Sequence, residues 1–444
     1  MTPPAQLYAL PIPQRPKHGN LALGIVWAVL FNVCIVLTHV TQLILIVAPR
    51  RILHKVTKSI FGVILVAMTQ IFAPTKLVVT VGHGVDEQTA LERDGRGNVT
   101  GIKLGTHSVW MSNHQTLCDW VYIWSFAYFA HLHQSIFIIL KASIGKVPIV
   151  GWGAKLYGFI FLDRSWEKDR IVFAKQLQHI SAGVNRDSAN ETMTLLIFPE
   201  GTIVTNNTRP KSLAFAEKTG ISDFDFTLLP RSTGLFFSLR NLVKTVPDLT
   251  LVDLTIGYPG ACNAPQSYPE DHYSLSIWFK QTPPPAVHVH IRQYNVLKEV
   301  PLGDLSNVEV GDGSLEERQA FDKWLRDRWQ EKDDLMKVFV KQDRFDRTSD
   351  SDDKQRQAIE WNVKLRHSWE FAEVFSWFGP LVLFGLVWWA WTWWSGPKLQ
   401  AAMLLRPADV QNVVERPCCA KAVAATAMSY TSSAISTAAS RLEL

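Results

Sequence analysis

His114 stands five positions before an aspartate, in the string Asn113-His114-Gln115-Thr116-Leu117-Cys118-Asp119-Trp120. Of the 13 histidines it alone has an aspartate at that offset. Histidine titrates near neutral pH and is the natural general base. An aspartate one helical turn away can hold the imidazole in one tautomer and stabilise its charged form. The chain lacks the Gly-x-Ser-x-Gly elbow and the His-Glu-x-x-His helix of hydrolases. A base without a protein nucleophile points to a nucleophile carried by the substrate, for instance a hydroxyl. Taken alone, His114 could equally be a loop histidine bonded to backbone. A second polar string, Phe198-Pro199-Glu200-Gly201-Thr202, weighs toward chemistry. Gly201 allows close backbone approach, while Glu200 and Thr202 offer polar contacts to substrate oxygens. An ordinary strand-to-helix turn is the alternative.

These residues need elements to hold them. Lys76 to Val81, Ser108 to Ser112, Thr194 to Phe198, Leu249 to Ile256 and Ala286 to Tyr294 read as strands. Helical patterns lie between them, notably Asp119 to Ala130 and Trp166 to Val184. This alternation predicts an α/β fold, a sheet flanked by helices. His114 and Glu200 each follow a strand, the usual place for a site in an open α/β sheet. Asn113 and Thr116 are candidate caps for the helix that carries Asp119. Asp223 and Asp225, flanked by Phe224 and Phe226, read as a polar turn rather than a metal pair. His83 and His107 have no motif around them.

The composition excludes several classes. A net charge of +5 over 444 residues, with bases and acids interleaved, argues against a nucleic-acid binder and suits anionic headgroups. Five cysteines without a CxxC pair argue against a disulfide framework and a zinc site. Cys418-Cys419 lie in a polar tail, where reversible acylation is conceivable.

Leu21 to Ala48 contains no fully charged side chain and reads as a transmembrane helix. The basic excess after it places the chain beyond Pro49 on the cytosolic side. Ile60 to Ala73 is short for a span and is expected to be interfacial or re-entrant; a second crossing would invert the domain beyond it. Val374 to Trp394 reads as a C-terminal span with a tryptophan-rich anchor, or else as a surface hairpin. The expected layout is a tail (1–20), a transmembrane helix (21–48), a basic segment with an interfacial or re-entrant helix (49–74) and the α/β domain (75–300). After these come an amphipathic helical extension (301–345), a linker (346–373), a transmembrane helix (374–395) and a disordered tail (396–444). The extension rests on Phe321, Trp324, Leu325 and Trp329 at helical spacing.

With these residues placed, the chain resembles the glycerophospholipid acyltransferases, the family that includes 1-acylglycerol-3-phosphate acyltransferase. Four blocks stand in the family's order. They are Asn113-His114 through Asp119; Lys141 with Pro148, leading to Gly158 through Arg164; Phe198 through Thr202; and Leu228-Leu229-Pro230-Arg231. The fuller strings around them look most like the lysophosphatidylinositol and lysocardiolipin acyltransferase branch, with fungal members nearest. The resemblance implies an acyltransferase domain in the endoplasmic reticulum membrane, facing the cytosol. Acyl-CoA would be the co-substrate and a lysophospholipid the acceptor, with no cofactor and no metal. It implies His114 as base and Asp119 as its orienting partner. Many family members carry arginine after the Glu-Gly-Thr, where this chain has Ile203. Phosphate binding would then lean on Lys141, Arg164 or Arg209, with Arg231 structural or functional. A larger headgroup than a bare phosphomonoester fits that departure better. The alternatives are a 1-acylglycerol-3-phosphate acyltransferase, a CoA-independent transacylase, a membrane-anchored hydrolase and a non-catalytic scaffold. The sequons at Asn98, Asn190 and Asn206 are expected to be unused if the domain faces the cytosol.

Overall fold

The computed structural model describes residues 7–393 apart from 164, 183, 185–191, 263, 307–312, 347–357, 371 and 373–383. In chain order the elements that frame the site are α1 (Leu21–Ile44), α2 (Arg50–Phe72), β1 (Lys76–Val81), β2 (Leu91–Arg93), β3 (Val99–Ile102), β4 (His107–Ser112) and α3 (Asp119–Phe129). Then come β5 (Ile136–Lys141), α4 (Val150–Leu156), β6 (Ile160–Leu162), α5 (Trp166–Ser181), β7 (Met193–Ile197), α6 (Arg209–Thr219) and α7 (Ser232–Val243). They end with β8 (Thr250–Gly257), β9 (Ala286–Asn295), α8 (Leu315–Gln342) and β10 (Ile359–Asn362).

Eight strands form one mixed sheet in the order β10-β1-β9-β8-β4-β7-β5-β6. β4, the strand that ends at the His114 loop, lies parallel between β8 and β7. Alternation along the strands sends Trp110, Leu196 and Val252 to one face, against a core that includes Val66, Trp124 and Phe126 of α2 and α3. Val109, Leu195 and Leu251 go to the other, against Phe173, Phe237 and Phe321 of α5, α7 and α8. The sheet is therefore covered by helices on both faces, and its central strands β4, β7 and β8 are buried at nearly every residue. β2 and β3 make a separate two-stranded hairpin.

α1 starts where the Asn20 side chain accepts from the backbone N–H groups of Ala22 and Leu23. It exposes Leu21, Ile25 and Val29, a concentration of apolar surface suited to lipid. Its other face packs on α2 and on a short helix, Ser276–Phe279, where Trp27 stacks on Trp278 at 5.4 Å. Gly24 makes that approach possible, because a Cβ there would sit 2.6 Å from the Phe279 carbonyl oxygen.

The layout departs from expectation at two places. The basic segment and the apolar stretch of 49–74 are one helix of 23 residues rather than a segment followed by a short interfacial one. Pro49 precedes it and nothing inside Arg50–Phe72 breaks it. α1 and α2 are both long and apolar enough to cross a membrane, but α2 is the more deeply buried, with Val63 to Ala67 packed into the α/β core. The linker expected at 346–373 contains strand β10, which pairs antiparallel with β1. Its Trp361 lies flat on Phe129 with centroids 5.5 Å apart. The acidic part of that stretch lies outside the described residues. So does most of the expected C-terminal span; residues 384–393 form a helix, too short by itself to cross a bilayer.

Candidate active site

The turn between β4 and α3 is built to hold two side chains together. Asn113 does not cap α3 as expected. Its amide donates to the Ile256 carbonyl at 3.0 Å and accepts from the Ile256 N–H at 2.8 Å, pinning the turn to the end of β8. Thr116 does serve the helix start: its hydroxyl accepts from the Cys118 N–H and donates to Asp119.

His114 Nδ1 and Asp119 Oδ2 are 2.8 Å apart. Asp119 is fully buried, and its oxygens take four further hydrogen bonds. Oδ2 accepts from the Gln115 N–H at 2.6 Å and the Thr116 N–H at 3.0 Å. Oδ1 accepts from the Thr116 hydroxyl at 3.0 Å and the Tyr258 hydroxyl at 2.6 Å. Every one of these partners donates, so Asp119 also accepts from His114 Nδ1–H and the imidazole lone pair stays on Nε2. The ring is further held by Phe198, stacked with centroids 4.2 Å apart. A histidine fixed in one tautomer, with the free nitrogen on a cavity wall, can take a proton from a bound hydroxyl. Tyr258 escaped the sequence reading. It follows the strand that ends at Gly257, so the strand-end rule that flagged His114 would also have reached it.

The second motif braces the first. The His114 N–H donates to Glu200 Oε1 at 3.3 Å, and the Val204 N–H donates to the His114 carbonyl at 3.1 Å. Burial pushes the Glu200 carboxyl up to about 8, against the pull of the Leu228 and His114 N–H groups. Glu200 is thus buried behind the site and does not line the cavity, contrary to the expected contact with substrate oxygens. Gly201 does line it, in a left-handed turn at φ +71° that other residues adopt with strain. Thr202 is half-buried beside it and is not part of the wall.

The cavity in front of His114 measures about 860 Å³. One arm runs between apolar side chains of α1, α2 and α3, among them Phe31, Phe61 and Trp124. Cys118 is on the wall, but burial raises its thiol well above the ordinary range, so it is no thiolate nucleophile. Of the cations expected to meet phosphate, Lys141 lines the cavity at the exposed end of β5. Arg209 does not. Its guanidinium is spent on Asp223, the Phe224 carbonyl at 2.6 Å and the Asp225 carbonyl at 3.1 Å. Arg164 lies outside the described residues. Arg231 and Arg318, not chosen for this role from the sequence, are on the wall. Among the described residues no group of three or more metal-ligating side chains is assembled.

Comparison with known proteins agrees with this geometry. A family model described as Acyltransferase matches residues 95–256, and one described as Acyltransferase C-terminus matches residues 314–377. The second match takes in α8 and β10. The chain is 32% identical to a 2-acyl-1-lysophosphatidylinositol acyltransferase of Saccharomyces cerevisiae, over 64% of this chain and 74% of the relative. It is 28% identical to an uncharacterized acyltransferase of Schizosaccharomyces pombe, over 74% of this chain and 84% of the relative. It is 33% identical to Lysocardiolipin acyltransferase 1 of Danio rerio, over 54% of each. The chain belongs to the glycerophospholipid acyltransferase family, as an O-acyltransferase of the branch that holds lysophosphatidylinositol and lysocardiolipin acyltransferases.

Proposed function

We propose that this protein moves a fatty acyl group from acyl-CoA to the free hydroxyl of a lysophospholipid, lysophosphatidylinositol or one of similar headgroup size. The observation that carries the reading is the His114–Asp119 pair at 2.8 Å on the wall of an apolar cavity. His114 Nε2 takes the acceptor's hydroxyl proton as that oxygen attacks the thioester carbonyl. The tetrahedral intermediate collapses with cleavage of the carbon–sulfur bond. The CoA sulfur leaves and recovers the proton from the imidazolium. No acyl-enzyme is needed, which accords with the raised Cys118 thiol. The apolar arm between α1 and α2 takes the acyl chain, where each buried methylene contributes about 0.8 kcal/mol.

The reading extends to placement. α1 crosses the endoplasmic reticulum membrane, with a C-terminal helix as a second anchor. α2, packed into the α/β core, stays on the cytosolic side at the membrane surface. The α/β domain therefore faces the cytosol, close to lysolipid hydroxyls at the bilayer surface. Headgroup choice is tested with radiolabelled acyl-CoA and lysophosphatidylinositol, lysophosphatidic acid, lysophosphatidylcholine and monolysocardiolipin, supplied separately. Transfer should favour the inositol lipid or another large anionic headgroup. Transfer confined to lysophosphatidic acid would make this a phosphatidic acid synthase instead.

A further inference from the structure

Most buried or half-buried arginines of the α/β domain are matched to an acid. Arg209 meets Asp223, Arg240 meets Glu317, Arg292 meets Asp253 and Arg326 meets Asp322. Arg231 and Arg318 are solvent-exposed and stand apart from these. Both line the cavity that contains His114, and among the described residues neither has an acidic partner. Arg318 has one weak internal tie, Nε to the Ser314 carbonyl at 3.4 Å. The one acid on the same wall, Asp169, is already engaged by the backbone N–H groups of Asp163 and Ser165.

The two guanidiniums are placed by rigid elements. Arg231 ends the fourth sequence block, and its N–H donates to the Pro199 carbonyl at 2.8 Å, which ties it to the Glu200–Gly201 turn. A Cβ built on Gly201 would lie 3.8 Å from Arg231 Cδ and Nε, so the guanidinium passes directly over that glycine. Arg318 is one turn before Phe321 on α8, and Phe321 packs on Phe236 of α7 with centroids 5.0 Å apart. α7 begins immediately after Arg231. The cavity therefore has an apolar arm at α1 and α2 and two unmatched guanidiniums elsewhere on its wall. That pairing suits an amphipathic anion. A planar guanidinium donating two N–H groups matches a phosphoryl group better than a point charge does.

We propose that Arg231, assisted by Arg318, binds a phosphoryl group of the substrate beside Gly201. The turn itself offers no cation, since Ile203 follows Thr202. This rests on the lysophospholipid and acyl-CoA reading above, because both of those substrates carry phosphate. The acceptor's phosphodiester and the phosphates of CoA share the chemistry, and the kinetics separate them.

The test measures initial rates for Arg231→Gln, Arg318→Gln and Arg231→Lys with acyl-CoA and lysophosphatidylinositol varied in turn, in protein whose melting temperature matches wild type. Arg231→Gln should raise KM about tenfold for one of the two, with kcat within twofold. A rise for the lysolipid makes its phosphate the ligand; a rise for acyl-CoA makes it the donor's. Arg231→Lys should fall between wild type and Gln. If Arg231→Gln does not fold, Arg231→Lys and Arg318→Gln carry the test, each expected to raise the same KM at least threefold. Both KM values within twofold of wild type in every folded variant would overturn the proposal. Equilibrium binding of each substrate to His114→Ala protein in nanodiscs, with and without Arg231→Gln, reads the site without turnover. Wild-type protein that transfers no acyl group while Arg231→Gln still weakens binding would sink the functional reading and spare the arginine assignment.

Discussion

At the scale of single residues the site is a base whose orientation is over-determined. Asp119 holds His114 with a carboxylate that five donors converge on, and Tyr258 supplies one of them at 2.6 Å. Burial keeps the Tyr258 hydroxyl protonated by pushing it well above its ordinary range. Tyr258→Phe should therefore lower kcat about tenfold with KM unchanged, the cost of one charge-assisted hydrogen bond expressed at the reacting centre. An unchanged kcat would make Tyr258 a packing residue only. Glu200 behaves differently. Its carboxyl is held near 8 in the folded protein and titrates near 4.5 when exposed. The folded state binds that proton more tightly, so the stability it confers is present below pH 4.5 and is lost as pH rises toward 8. Glu200→Gln should flatten the decline in unfolding temperature between pH 5.5 and about 8.5, a difference on the order of a few kcal/mol. Identical pH profiles for the two proteins would show that the carboxyl titrates normally. The His114–Asp119 pair was legible because its members are five residues apart, whereas Tyr258 reaches Asp119 across 139 residues. No local pattern records such a contact.

At the scale of elements, α8 does more than cover the sheet. Its apolar stripe through Phe321, Leu325 and Trp329 was legible as helical spacing. Two charged side chains on the same helix are buried as well. Lys332 donates to Asp253 at 2.6 Å and to the Leu254 carbonyl at 2.6 Å, on the strand that leads to Tyr258. Asp333 accepts from the backbone N–H groups of Asp225, Phe226 and Thr227, which lead into the block ending at Arg231. The helix thus fastens two loops of the site from behind. Asp333→Ala leaves three backbone N–H groups, that of Thr227 fully buried, without their acceptor and should destabilise the fold by roughly 3 kcal/mol. Denaturant unfolding in detergent reads this, and a loss within error of zero would mean that water replaces the carboxylate. Nothing in the sequence singles out Lys332 or Asp333, because charge in sequence says nothing about which side of a helix meets a sheet. β10 was missed for a related reason. Its four residues alternate correctly, but they pair with β1 far away in the chain. A short edge strand is recognisable only from its neighbour.

At the scale of the molecule, the apolar N-terminal helices and the α/β domain form one cavity. α1 and α2 do not simply precede the site, since Phe31 and Phe61 are part of its wall. A reading of the chain as anchor followed by enzyme divides what the fold joins, and the split of 49–74 came from the basic residues through Lys58, which leave only a short uncharged run after them. The wall should also set acyl-chain length. Met68, half-buried on α2, faces the apolar arm. Met68→Trp should shift preference toward shorter acyl-CoA. Excluding two methylene groups costs about 1.6 kcal/mol, roughly a tenfold change in relative kcat/KM between chain lengths. An unchanged chain-length profile in folded protein would place the acyl chain elsewhere. The central claim, that His114 is the base for a substrate hydroxyl with no protein nucleophile, is tested most directly by acyl transfer in His114→Ala reconstituted beside wild type. Label from acyl-CoA should reach the lysophospholipid in the wild type and fall by at least a thousandfold in the variant, with melting temperature preserved (on the order of the loss when a catalytic base is removed). Transfer by His114→Ala within tenfold of wild type would contradict the account.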